Sequence, residues 1–218
     1  MAPRGTKKES RQEQAKDNRA RIVEAAWELF WLRGYHAASI GDIAALAKVP
    51  KGSIYNYFDS KESLLIHVLR RIKYQTETHL RLNVLAGSLS PADVVSKLLD
   101  NYEELFEPLG YSRGDPLSSR MGELTDTHPE VVAELLPIQE AWRTVVAQKI
   151  WAYATVAQIP ALIDAADGLA GMIYAAIQGT LLQMKITHSA EPIAEARKTL
   201  VPMVNMYVSA LATGEVKA

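Results

Sequence analysis

Residues Ser39–Lys61 read SIGDIAALAKVPKGSIYNYFDSK. Ser39 is a good helix N-cap, and Asp42, three residues on, can reach back to the cap's N–H and favour the positive end of the helix. Ile43, Leu46 and Ala47 then fall on one face at helical spacing. Pro50 disfavours helical geometry in Val49 and so ends this helix, yet it suits the first turn of the next one. That second helix, expected over Lys51–Phe58, puts Ile54 and Phe58 on one side and leaves Lys51, Ser53, Asn56 and Tyr57 free. Two short helices joined by a turn of about 3–4 residues form a helix-turn-helix, whose second helix can enter the major groove of DNA. Lys and Asn side chains can bond to base edges, Ser and Tyr hydroxyls to bases or phosphates, and Gly52 lets the backbone come close. A helical hairpin with a solvated polar face has the same periodicity, so spacing alone leaves both readings open.

On the N-terminal side, Asp17 can cap a helix with an apolar stripe of Ile22, Ala26, Leu29 and Phe30, which Gly34 stops. Residues 1–16, MAPRGTKKESRQEQAK, are polar and basic without periodicity and read as a flexible arm that can reach DNA. On the C-terminal side, Ser60 can cap a long helix to about Asn83, faced by Leu64, Leu65, Val68, Leu69 and Ile72.

The net charge of −1 hides an asymmetry: residues 1–83 carry +6 and residues 84–218 carry −7. A basic part beside an acidic part is expected if only the first meets phosphate. Apolar residues make up 48% of the chain, ample for a core. No apolar run reaches the ~20 residues that span a bilayer, and the charged N-terminus lacks the apolar segment of a secretory signal. The absence of cysteine excludes disulfides and thiolate chemistry and fits a cytoplasmic protein.

The pattern Ser39-Ile40-x-Asp42-Ile43-Ala44, followed by Val49-x-x-Gly52-x-Ile54-Tyr55-x-Tyr57-Phe58-x-x-Lys61-Glu62-x-Leu64, resembles the DNA-binding region of TetR-family transcriptional regulators over residues 18–70. The resemblance implies an all-α fold: an N-terminal three-helix DNA-binding domain with its helix-turn-helix, plus a larger helical domain for ligand binding and dimerisation. Repression relieved by a small molecule is the implied function. The candidate DNA-contacting residues are then Ser39, Lys51, Gly52, Ser53, Tyr55, Asn56, Tyr57 and Lys61, the last by phosphate contact. Tyr35 matches a position where the family commonly has an aromatic. Two residues depart from the family pattern: Lys48 stands where Gly is usual and Pro50 where Ser or Thr is frequent. Lys48 in a left-handed turn would cost roughly 1–2 kcal/mol.

Beyond Pro91 the pattern predicts helices from Ser90 to before Pro108, a short one over Leu117–Leu124, one from Pro129 to about Tyr153 kinked or divided by Pro137, and two more over Leu162–Thr187 and Glu191–Ala212. The total is about nine. The domains are expected at 1–16 (arm), 17–62 (helix-turn-helix) and 63–218 (ligand binding and dimerisation). By the resemblance, the last two helices form a four-helix bundle across a two-fold homodimer interface. A pocket between helices is expected to draw on Tyr102, Arg120, Met121, Glu123, His128, Gln139, Trp142, Arg143 and Gln178, where Arg120 and Arg143 suit a carboxylate ligand. The five histidines form no metal-binding spacing, no phosphate loop or nucleophile elbow is present, and no cofactor or enzymatic activity is expected. The leading expectation is a cytoplasmic, dimeric repressor released from a palindromic operator by a small-molecule effector, with no membrane partner. The competing one is a helical small-molecule-binding protein or enzyme without sequence-specific DNA binding, suggested by the large acidic remainder.

Overall fold

The computed structural model describes residues 7–115 and 124–216, with side chains from residue 12 onward. Eight α-helices and no strand occur among the described residues: α1 Lys7–Arg33, α2 Ile40–Ala47, α3 Lys51–Ile54, α4 Lys61–His79, α5 Pro91–Phe106, α6 Pro129–Ala157, α7 Pro160–Thr187 and α8 Glu191–Thr213. A π-helical turn, Leu80–Val84, ends α4, and a 3-10 turn, Glu107–Leu109, follows α5. The expected helix at Leu117–Leu124 lies outside the described residues, except for Leu124.

The chain divides into two compact units, Met1–Arg71 with Glu123–Glu134, and Ile72–Gly122 with Leu135–Ala218. The unit that holds the helix-turn-helix therefore runs past residue 62 into α4 and takes in the start of α6. In this unit α1 packs on α2 and α2 on α3. Its core is built from the fully buried Ile22, Phe30, Ile43, Ile54, Leu64 and Leu65. In the second unit α8 packs on both α5 and α7, around Leu98, Leu99, Ile173, Ile177 and Ile193.

Two expectations about boundaries change. Helix α1 begins at Lys7, ten residues before the expected cap, so residues 7–16 are helix and not an arm; Asp17 sits inside the helix and pairs with Arg21 at 3.4 Å. Lys7–Lys16 contains neither Gly nor Pro and is rich in good helix formers, so a helix already nucleated by packing extends through it. The second expected helix keeps α geometry only over Lys51–Ile54; Asn56 and Tyr57 then close i→i+3 turns onto Ser53 and Ile54. Pro137, by contrast, lies inside an undivided α6, between the buried Leu135 and Ile138.

Helix α7 is the one helix among the described residues long and apolar enough to cross a membrane by length and composition. One side of it, Leu162, Ala166, Leu169, Ile173 and Ile177, is buried in the second unit.

Candidate functional site

The helix-turn-helix is held by local polar bonds at both ends of α2. At the start of α2, Asp42 N–H donates to Ser39 Oγ at 3.1 Å, and Ser39 N–H donates to Asp42 Oδ2 at 3.3 Å, a complete capping box. The Ser39 hydroxyl also donates to Asp42 Oδ2 at 2.7 Å, and these bonds hold the Asp42 carboxyl below the usual carboxylate range. At the other end Lys48 adopts the left-handed conformation, φ 55° and ψ 45°. Lys48 N–H then bonds to Ala45 O, and Val49 N–H to Ala44 O, the paired bonds of a Schellman stop.

Arg21 of α1 braces this strained turn. Its Nε and Nη2 donate to Ala47 O at 3.1 and 2.7 Å, and Nη2 donates also to Lys48 O at 2.9 Å. A guanidinium at a helix C-terminus satisfies orphan carbonyls and complements the negative end of the dipole. The pairing spans 26 residues, and no short-range pattern announces it.

The outer face of α3 and its continuation is open. Lys51, Gly52, Tyr55 and Asn56 are exposed, Tyr55 by 54%, whereas Ser53 and Tyr57 are half-buried. Ile54 and Phe58 point inward, and the Phe58 ring meets the Arg19 guanidinium at 5.4 Å and the His67 ring edge-on at 5.2 Å. A side chain at Gly52 would meet nothing within 4 Å, so this stretch of backbone is the most approachable part of the face. Ser39 and Lys61 are more committed. Ser39 spends its hydroxyl on the cap. Lys61 Nζ lies 4.3 Å from the centre of the Tyr35 ring and 3.4 Å from His36 O, and burial there draws its ammonium pKa down. Tyr35 in turn donates to Glu62 Oε1 at 2.9 Å, and burial pushes its phenol well up. Ser60 caps α4 as expected, accepting from Ser63 N–H at 3.1 Å.

In the second unit α5, α6 and α7 bring Tyr102, Trp142, Arg143 and Tyr174 together. Trp142 is 4% exposed and meets the Tyr174 ring edge-on at 5.1 Å. Tyr102 stacks on Phe106 at 6.2 Å. Burial, then the nearby Asp115 carboxylate, pushes the Tyr102 phenol well up and that of Tyr174 up to about 12, so both hydroxyls are protonated donors at neutral pH. Trp142 Nε1 comes near the Tyr102 hydroxyl without reaching hydrogen-bond geometry, and it stays unpaired. Arg143 pairs through Nη1 with Glu140 at 3.6 Å, but its Nε is buried without a partner. Buried donors of this kind are uncommon in folded proteins.

Of the other expected pocket residues, Gln139 precedes Trp142 and Arg143 by one turn of α6, and Gln178 follows Tyr174 by one turn of α7; both are half-buried. Arg120, Met121 and Glu123 lie outside the described residues. His128 belongs elsewhere: it sits in the first unit, 5.8 Å from the Tyr35 ring and 6.4 Å from that of His36, with Nδ1 2.7 Å from Thr127 Oγ1. Its place before Pro129 makes it a helix-start residue. Tyr174, Asp115 and Gly171 were not legible as site residues; the small residues around Gly171 mark only close helix approach.

The first unit thus carries an open helix-turn-helix face, and the second a cluster of aromatic rings and buried N–H donors. Comparison with known proteins gives the chain a family. Residues 22–68 match the family model described as bacterial regulatory proteins, tetR family, and residues 91–200 match the tetracyclin repressor-like C-terminal domain. The HTH-type transcriptional repressor DhaR of Mycobacterium sp. (strain GP1) is 31% identical over 175 residues, covering 80% of this chain and 86% of DhaR. A TetR transcriptional regulator from Chloroflexus aurantiacus shares the fold with a TM-score of 0.74 at 24% identity, over 88% of this chain and 96% of that one. The Bacillus subtilis regulator FadR in complex with stearoyl-CoA does so with a TM-score of 0.56 at 19% identity, over 89% and 98%. The chain belongs to the TetR family of bacterial transcriptional regulators. It is a DNA-binding regulator and not an enzyme.

Proposed function

We propose that this protein is a cytoplasmic repressor that binds a palindromic operator as a homodimer and is released by a small-molecule effector. Residues 17–62 meet the DNA and residues 63–218 hold the effector and the partner subunit. The observation that carries this reading is the exposed face of Lys51, Gly52, Tyr55 and Asn56, presented by a helix-turn-helix whose own polar groups are satisfied. Lys51 and Asn56 read base edges. Ser53, Tyr55 and Tyr57 reach bases or phosphates. Ser39 positions α2 through its cap, and Lys61 meets phosphate once it leaves the Tyr35 ring.

Homodimerisation is supported by the outer side of α7 and α8. Met172, Met203 and Met206 are 60–71% exposed. With Gly168, Leu169 and Val204, Met172 and Met203 border an apolar groove of about 620 Å³. Contiguous exposed apolar surface of this kind marks an interface. Effector control then follows from linkage: a ligand that prefers one arrangement of the second unit lowers operator affinity by its differential affinity for the two states. Helices α4 and α6 both run through the two compact units, so a change at Trp142 and Arg143 and a change at the helix-turn-helix share two continuous elements. The Tyr102, Gln139, Trp142, Arg143 and Gln178 faces form the effector site. FadR, of the same fold, holds stearoyl-CoA.

The test is selection of bound sequences from random duplex DNA, followed by gel-shift titration at two salt concentrations. A palindromic site with affinity that falls steeply with salt is expected. Lys51→Ala and Tyr57→Ala should each weaken binding about tenfold or more while the dimer stays folded. Unchanged affinity in both variants would remove the recognition face, and absence of any enriched sequence would remove the operator.

A further inference from the structure

The donors around Trp142 say what kind of effector belongs there. This inference rests on the reading of that cluster as the effector site. Trp142 Nε1 and Arg143 Nε are both buried N–H groups without an acceptor. They sit on adjacent residues of α6 and face two positions of α7 one turn apart: Trp142 meets Tyr174, and Arg143 lies over Gly171. The Arg143 guanidinium has its Nη1 engaged by Glu140, which leaves the Nε–Nη2 edge. A Cβ on Gly171 would stand 3.4 Å from Nη2 and 3.6 Å from Nε, against that edge. Glycine at 171 therefore lets α7 pass beside that edge without placing a side chain on it. The neighbouring hydroxyls of Tyr102 and Tyr174 are protonated donors as well.

The unmet groups are donors, and one of them belongs to a permanent cation. What satisfies such a set is an acceptor-only group with two oxygens in a fork, and the Nε–Nη2 edge of arginine takes a carboxylate through two parallel bonds. The rest of the surroundings are aromatic: Tyr102 stacks on Phe106, and Trp142 meets Tyr174 edge-on. We infer that the effector is a small aromatic carboxylic acid, bound as its carboxylate on the Nε–Nη2 edge of Arg143 with the Trp142 indole N–H as a further donor.

The probes are three compounds of one shape: benzoate, neutral benzamide and cationic benzylamine. Each is titrated into the full-length protein by calorimetry at neutral pH, and each is added to the protein–DNA complex in a gel shift. Benzoate is expected to bind and to release DNA, at least about tenfold more tightly than benzamide, with benzylamine weakest. Arg143→Lys keeps the charge but loses the forked edge, and Trp142→Phe loses only the N–H; each should weaken benzoate about tenfold. Benzamide or benzylamine binding as tightly as benzoate would overturn the carboxylate assignment, and so would no heat from benzoate at about 10 mM. Unchanged benzoate affinity in both Arg143→Lys and Trp142→Phe would overturn it too, as expected of N–H groups that are merely hydrated. The effector-site reading fails separately: a probe that releases DNA equally from wild type and from both variants acts elsewhere, whereas release by benzamide that the variants abolish keeps the site and removes only the acid.

Discussion

The helix-turn-helix and the cluster between α5, α6 and α7 treat their polar groups in opposite ways. In the first, Ser39 and Asp42 close a capping box, Arg21 takes up Ala47 O and Lys48 O, and Tyr35 bonds to Glu62. In the second, two buried N–H groups have no partner although they stand among protonated phenols. On the proposed function, the difference follows from where each region meets its partner. A surface that docks on a rigid duplex must be fixed before contact, or the ordering cost is subtracted from affinity. A site that encloses a ligand gains affinity from needs the free protein leaves unmet, because a bond formed to an already desolvated donor carries no further desolvation cost.

If that contrast holds, the frame of the helix-turn-helix should be intolerant of change. The largest effect is expected at Phe58, 2% exposed and in contact with Arg19 and His67. Phe58→Ala should cost about 3–5 kcal/mol, read as a lower urea midpoint. A cost below about 1 kcal/mol would mean that the core under the recognition face collapses around the gap, and that its rigidity is not what presents Tyr55 and Asn56. Arg21→Ala should come next, at about 1–3 kcal/mol, since it frees two carbonyls at the strained turn. Its operator affinity should fall beyond what the loss of one positive charge explains, so Arg21→Lys, which keeps the charge, serves as the control. Lys48→Gly goes the other way. It relieves the left-handed strain and should raise stability by roughly 1 kcal/mol, net of the extra backbone freedom that Gly gives the unfolded chain.

These residues also show how much of the molecule could be read before its coordinates. The Ser39–Asp42 and Ser60 caps and the inward Ile54 and Phe58 were legible because each rests on contacts within one or two helical turns, whereas the left-handed Lys48 followed from the family resemblance, which has Gly at that position. Arg21 was not, since its acceptors are 26 residues away and one arginine among many carries no mark of its target. The early start of α1 was missed because a polar segment without an apolar stripe has no period, although its residues tolerate helix well. In the second unit Trp142 and Arg143 were legible as candidates by residue type. Their partners Tyr174 and Gly171 were not, because periodicity tells which face of a helix is apolar but not which neighbour it meets. The unpaired donors, which carry the chemical argument, are a property of packing alone.

The smallest effect concerns the cluster itself and appears only in alkali. Tyr174 is held up to about 12 by burial and by the charge of Asp115, against about 10 for a solvated phenol. A raised pKa means that the folded state keeps a proton that the unfolded chain gives up. The stabilisation is therefore fully present below pH 10 and is lost as pH rises toward 12. Tyr102, raised by the same causes, acts in the same direction. Wild-type stability should decline across this window, and Tyr174→Phe should flatten the decline while changing little at neutral pH. Solvent access to Tyr174, which is only half-buried, screens the effect and keeps it below that of Lys48→Gly. Asp42 provides the opposite control: its carboxyl is held down by Ser39, so its contribution is present above about pH 4 and disappears only in acid. A decline above pH 10 that persists unchanged in the Tyr102→Phe, Tyr174→Phe double variant would show that the cluster is hydrated. The two N–H donors would then be solvated rather than waiting for a ligand, and the contrast with the helix-turn-helix would close.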